Sequence, residues 1–171
     1  MRSSTLLTLF CSLSLAAVIP RNTVWDNHCC FTLHDVSTGA TVQENDANGY
    51  LFFNAGQTDG FFCIDLSNSL DQLRDHLYNA CFINPPDGSV KCIDPTPGFQ
   101  SWTLKKVGSD TLLLHDGDST FNHCPKPSTS AKGTVLYSNN HPNVASCKKT
   151  TLKAKNFQGT CKNFSARSEV E

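Results

Sequence analysis

Along most of the chain, apolar and polar positions alternate in short runs, and each run stops at turn chemistry. Phe31-Thr32-Leu33-His34 alternates and gives way to Ser37-Thr38-Gly39. Ala47-Asn48-Gly49 precedes an apolar run from Tyr50 to Phe53. Asn-Gly accepts the positive φ values of a type I′ turn, so this pair predicts a hairpin. Gly60-Phe61-Phe62-Cys63-Ile64 predicts another strand, and Pro85-Pro86-Asp87-Gly88 enforces a turn before Val90-Lys91-Cys92-Ile93. Trp102 to Val107, Gly108-Ser109-Asp110 and Thr111 to Leu114 read as a hairpin. Thr134 to Tyr137 and Thr150 to Ala154 complete the series. Short alternating runs at this spacing predict an all-β domain.

One segment breaks the rhythm. Leu66, Leu70, Leu73 and Leu77 recur at helical spacing, and Ser67 or Asn68 is a fitting cap. The segment from 66 to 78 therefore reads as a short helical turn, or equally as a connecting loop whose leucines plug the end of a barrel.

The amino terminus changes the picture from fold to compartment. Met1-Arg2-Ser3-Ser4 is a short positive start, Thr5 to Leu15 is apolar, and Ser14-Leu15-Ala16 offers the small residues that a signal peptidase reads. This is the pattern of a secretory signal over 1–16, and the apolar run is too short for a membrane span. The expected organisation is a signal peptide (1–16), a short lead (17–28), one β domain (29–161) and a flexible polar tail (162–171). Asn163-Phe164-Ser165 in that tail is a glycosylation sequon, usable after export. Of the 9 cysteines, Cys11 leaves with the signal and 8 remain: Cys29, Cys30, Cys63, Cys81, Cys92, Cys124, Cys147 and Cys161. An even number in an exported chain predicts a closed set of about four disulfides.

Charge removes some functions. Without Arg2, 13 of the 14 Lys and Arg remain against 15 Asp and Glu, so the mature chain is near neutral. Phosphate-binding surfaces cluster their basic residues. The local excess here, Lys148, Lys149, Lys153, Lys155 and Lys162, reads as a solvated strand face. Nucleic acid is not an expected partner.

Catalytic constellations are thin. The chain lacks a Gly-x-Ser-x-Gly elbow, a His-Glu-x-x-His pair and a phosphate-cradling glycine loop. A cysteine nucleophile needs a free thiolate, and all mature cysteines can pair. The acids Asp46, Asp87, Asp110, Asp116 and Asp118 sit mainly at turns, where Asp is favoured for local hydrogen bonds. His115 and His123 flank Asp116-Gly117-Asp118, a set that could hold a metal but reads equally as a tight turn. Gln100-Ser101-Trp102 is similar to the Gln-x-Trp of β-trefoil lectins, yet it occurs once, so Trp102 is expected in the core. The reading is a non-enzyme with no cofactor and no metal.

The stretch Leu73-Arg74-Asp75-His76-Leu77-Tyr78-Asn79-Ala80-Cys81, preceded by Cys63, resembles a segment of the Alternaria major-allergen-like family of fungal secreted proteins. In that family a Cys is followed, about fifteen residues on, by Leu-x-Asp-His-x-Trp-Tyr-x-Cys. Leu73, Asp75, His76 and Cys81 match, Tyr78 stands at the Trp position, and Asn79 departs from the family Tyr. Trp102 to Leu114 is similar to the family's next hairpin. Cys30-Phe31-Thr32-Leu33, Phe62-Cys63-Ile64 and Cys124-Pro125 also resemble a wider set of fungal small cysteine-rich secreted proteins. The resemblance implies a compact antiparallel β-barrel (a sandwich being the other arrangement of such strands) and the pairs Cys63–Cys81 and Cys124–Cys147. Cys30–Cys92 and Cys29–Cys161 follow as the remainder, with Cys29 and Cys30 able to trade partners because neighbouring strand residues face opposite ways.

The function this implies is extracellular and non-catalytic: an effector or elicitor that binds a host apoplastic protein or a small ligand, through a surface the sequence does not locate. The competing reading is a wall or spore-surface protein that binds polysaccharide, with Tyr50, Phe52 or Tyr137 stacking on sugar rings if they are not core. A weaker third is a hydrolase using Asp or His residues on the barrel rim.

Overall fold

Strands form at each of the predicted runs, and five more form elsewhere. The computed structural model describes residues 22–66, 72–94, 101–125, 132–141 and 145–161. Its strands are β1 (Cys29–Asp35), β2 (Gln43–Glu44), β3 (Leu51–Phe53), β4 (Thr58–Asp59), β5 (Phe62–Ile64), β6 (Leu73–Asp75) and β7 (Ala80–Asn84). There follow β8 (Ser89–Asp94), β9 (Trp102–Val107), β10 (Asp110–His115), β11 (Thr120–Cys124), β12 (Thr134–Ser138) and β13 (Lys148–Gly159). All pairings are antiparallel. No helix occurs among the described residues.

Neighbouring strands run β12-β8-β7-β6-β5-β1-β13, and β11 hydrogen-bonds to both β12 and β13. That double pairing joins the two ends of the row into a closed eight-stranded antiparallel barrel. Closure leaves no free edge around the ring. The β9–β10 hairpin is added on β13, and β2, β3 and β4 are added on β12.

The inward faces supply the core. Phe31 and Leu33 of β1, Phe62 and Ile64 of β5, Leu73, Val90, Phe121, Leu136 and Leu152 are buried together. Trp102 is fully buried, as expected. Its indole N–H donates to the Cys81 carbonyl at 3.1 Å, and its ring lies parallel to Phe121. Two smaller clusters form outside the ring: Phe52, Val135 and Tyr137 around Cys124, and Cys30, Phe61 and Cys63 beside Trp25.

Two local expectations are corrected. At Asn48-Gly49 only Gly49 has a positive φ, so the turn is not type I′. The Asn45 carbonyl accepts the N–H groups of both Asn48 and Gly49, a longer loop that turns the chain against β8. Gly49 is required there, since a Cβ would collide with the Cys92 carbonyl oxygen. The expected helical turn is replaced by β6, because β5 and β7 offer backbone partners on both sides and tertiary pairing overrides local spacing. Leu73 is buried while Leu77 is exposed, so these two do not share a face. Residues 67–71 of that segment, the signal 1–16 and the tail with Asn163 lie outside the described residues.

All 8 cysteines among the described residues are disulfide-bonded. Cys29–Cys161 and Cys124–Cys147 are as expected, but Cys63–Cys81 and Cys30–Cys92 are replaced by Cys30–Cys63 and Cys81–Cys92. Strand order explains the exchange. Cys30 faces Cys63 across β1 and β5, and Cys81 faces Cys92 across β7 and β8, each with Cα atoms 4.0 Å apart. Cys63 and Cys81 sit on strands separated by β6, about 9.6 Å apart at ordinary strand spacing, beyond the ~7 Å a disulfide bridges.

Non-reducing tryptic peptide mapping should therefore release Cys81 and Cys92 as a bridged species free of Cys63. The tryptic peptide 22–74, which carries Cys29, Cys30 and Cys63, should be bridged to the peptide of Cys161 and to no other. A Cys63–Cys81 species would contradict the strand order. Removing Cys29–Cys161, which spans 132 residues, should cost about 4 kcal/mol in denaturant unfolding even though other crosslinks shorten its path. Removing Cys81–Cys92, which spans 11, should cost about 3 kcal/mol.

Candidate functional site

The turn between β6 and β7 is organised by one carboxylate. Asp75 is buried, and its Oδ1 accepts the N–H groups of Leu77 and Asn79, each at 2.8 Å. Its Oδ2 accepts the Asn79 side-chain amide at 2.8 Å. These bonds hold Tyr78 at φ 70, a left-handed backbone that a bulky residue adopts at a cost of about 1 kcal/mol or more. The consequence is a split: His76 turns inward and is 3% exposed, while Leu77 and Tyr78 turn outward at 38% and 40%.

Tyr78 is braced on several sides. Its ring meets Trp25 edge-on at 4.9 Å and His28 at 5.9 Å, and the Arg74 guanidinium lies over it at 4.2 Å. Arg74 also donates to the Tyr78 carbonyl at 3.0 Å and to Gln72 Oε1 at 2.7 Å. Trp25 rests against the outer cluster around Cys30–Cys63. The result is an exposed tyrosine ring held firmly at the barrel surface by half-buried Trp25 and buried Arg74.

Behind the turn lies a second group. Glu44 on β2 is 1% exposed, and neither of its carboxylate oxygens has a hydrogen-bond partner. Its Oε2 is 3.7 Å from His76 Nδ1, and His76 Nε2 is 4.0 Å from Asp46 Oδ2. Burial pushes the Glu44 carboxyl up to about 7; contact with His76 lowers it, and nearby Asp75 raises it.

A groove of mixed polar and apolar lining occupies another part of the barrel, about 330 Å³ in volume, between the β7–β8 turn, the end of β10 and the end of β12. Asn84, Pro85, Pro86, His115, Asp116 and Asn140 line it. His115 Nδ1 lies 3.2 Å from Asp116 Oδ2, and burial lowers the His115 pKa against the opposing pull of Asp116.

Of the four residues read as possible metal ligands, His115 and Asp116 lie together, but Asp118 and His123 do not join them in a ligating group. The Asp118 carboxylate accepts the Thr120 N–H at 2.8 Å and the Asn139 amide at 2.9 Å, and the Thr120 N–H is the main reason its pKa is lowered. His123 sits on β11 against Thr134 Oγ1 at 2.9 Å, and burial lowers its pKa. Of the aromatics considered for sugar stacking, Phe52 and Tyr137 are buried, and Tyr50 is half-buried with Lys91 Nζ over its ring at 4.3 Å. The expected solvated face on β13 is present: Lys148, Lys149 and Lys155 are exposed, and Lys153 pairs with Asp110 at 3.5 Å.

Sequence reasoning missed the Glu44, Asp46 and His76 group. A signal was present: Val42 and Glu44 are two apart and share a strand face, so a buried Val42 puts Glu44 inward as well.

Fold and site define the class: an all-antiparallel, disulfide-closed β-barrel that presents an aromatic patch on one turn. No protein-family model, no curated protein and no solved structure matches the chain. Four disulfides in one domain mark maturation in an oxidising compartment outside the cytosol. Among the described residues no helix is long and apolar enough to cross a membrane.

The raised Glu44 pKa has a stability consequence. Its folded value, about 7, exceeds its ordinary value of 4.5, so its contribution is fully present below about pH 4.5 and is lost as pH rises through 7. The groups facing it are His76, Asp75 and, beyond His76, Asp46. With EDTA present, Glu44→Gln should flatten this part of the pH–stability curve and gain up to about 3 kcal/mol at pH 8. Chemical denaturation from pH 4 to 8 checks it; an unchanged slope would contradict the burial.

Proposed function

We propose that this chain is a secreted, non-catalytic protein of the fungal effector or elicitor kind, acting in the extracellular space by binding a host protein. The disulfide set supports export, and the observation that carries the reading is Tyr78. A turn in a costly backbone conformation holds this ring outward, with Trp25 and Arg74 in contact with it. Trp, Tyr and Arg are the residue types that dominate the energetic centres of protein interfaces. Exposed Leu77 beside Tyr78 widens the apolar contact area. The allergen-like resemblance points to the same turn through Asp75, His76 and Tyr78. The Cys63–Cys81 bond that it implied is absent, so this proposal rests on the patch.

The groove beside Pro85 and Pro86 favours a second reading, a small ligand or wall polysaccharide. Its volume of about 330 Å³ and its His, Asp and Asn lining suit a hydroxyl-rich molecule.

The informative variant is Tyr78→Gly. Glycine takes a positive φ without penalty, so the fold should be retained or slightly stabilised while the ring is lost. A host apoplastic protein held by the native chain should bind Tyr78→Gly at least about tenfold more weakly, with an unchanged melting temperature. Equal binding by both proteins would remove the patch reading. Sedimentation with chitin or β-glucan that survives Tyr78→Gly would move the function to the groove.

A further inference from the structure

The Glu44 carboxylate is the unexplained group of the barrel. A buried carboxylate without hydrogen bonds is costly unless a positive charge compensates it. The nearest side chains do not settle the account. Asp75 commits its carboxylate to the turn at Leu77 and Asn79, and it adds negative charge. His76 faces Glu44 with one ring nitrogen and Asp46 with the other. One ligand atom from each of Glu44, Asp46 and His76 lies within 4.8 Å of the other two.

We propose that Glu44, Asp46 and His76 form a divalent-cation site of the zinc class beneath the β6–β7 turn. Zinc takes imidazole and carboxylate ligands at about 2.1 Å, which places tetrahedral ligand atoms roughly 3.4 Å apart. One ion takes only one of the two His76 nitrogens, and with one ligand atom from each residue within 4.8 Å of the other two, the site closes by up to about 1.4 Å. Asp46 supplies that movement: it stands on the loop after β2 and is 41% exposed, which also gives the ion its way in. An imidazole with two carboxylates does not suit calcium, which takes six or more oxygens. The fourth zinc position is left to water.

The ion would join two parts of the fold that share no ladder. β2 pairs with β3 and β4, whereas β6 pairs with β5 and β7. A bridge from Glu44 to His76 ties the added strands to the turn that carries Tyr78. The site stands independently of what Tyr78 binds.

The test uses the secreted, disulfide-intact protein after EDTA dialysis, titrated with zinc chloride by calorimetry and followed by melting temperature. One Zn²⁺ per chain is expected, with a raised melting temperature and no comparable response to calcium chloride. Loss of one ligand should weaken zinc binding by more than the roughly 10- to 100-fold that loss of an outer partner costs. Three variants report this: Glu44→Gln, which keeps shape and removes the buried charge, His76→Gln, and Asp46→Asn, which alters only an exposed loop residue. Cobalt adds a spectroscopic readout, a tetrahedral visible band in the native protein that Asp46→Asn abolishes. No zinc uptake by the native chain, or equal uptake by all three variants, overturns the proposal.

Discussion

Closure of the ring at β11 is the constraint on which the rest depends. This five-residue strand pairs with β12 on one edge and β13 on the other. Without it the row from β12 to β13 would be an open sheet, extended by the added strands and not joined to itself. Closure separates inside from outside, and the pleat then assigns each residue to one of them. Cys29 joins the interior cluster while Cys30, its chain neighbour, joins an outer one. Cys124–Cys147 secures the end of β11 to the segment leading into β13.

The same inside–outside logic makes one turn serve two purposes. Asp75 fixes the backbone between β6 and β7, and three consecutive residues diverge from it. His76 enters the protein toward Glu44, and Leu77 and Tyr78 leave it. A rigid frame of this kind lowers the ordering cost of any partner that docks, because the exposed ring is already held in place.

Much of the fold was legible because strands and turns are local. The alternating runs found β1, β5, β9, β10 and β12 at nearly their observed limits, but only the part of β13 from Thr150 to Ala154. The Pro85-Pro86-Asp87-Gly88 turn lies between β7 and β8 as read. What was not legible was non-local. Whether Cys63 faces Cys30 or Cys81 depends on which strands become neighbours, and no residue near Cys63 encodes that. The leucines from 66 to 77 have helical spacing, but the partners offered by β5 and β7 draw Leu73 into a strand. The site was half legible. Asp75, His76 and Tyr78 stood out through a family resemblance, whereas Glu44 looked like one more acid near a turn. Its inward orientation becomes visible only when Val42 is known to be buried on the same face.

The Cys29–Cys161 bond holds the first and last residues of the barrel with their Cα atoms 4.5 Å apart. Both chain ends therefore leave from one spot on the surface. Tension applied between them is carried by a covalent link, and the strands bear almost none of it. An exopeptidase that trims from either end meets the same crosslink before it reaches the barrel. Cys29 and Cys161 therefore act mechanically as one tether point.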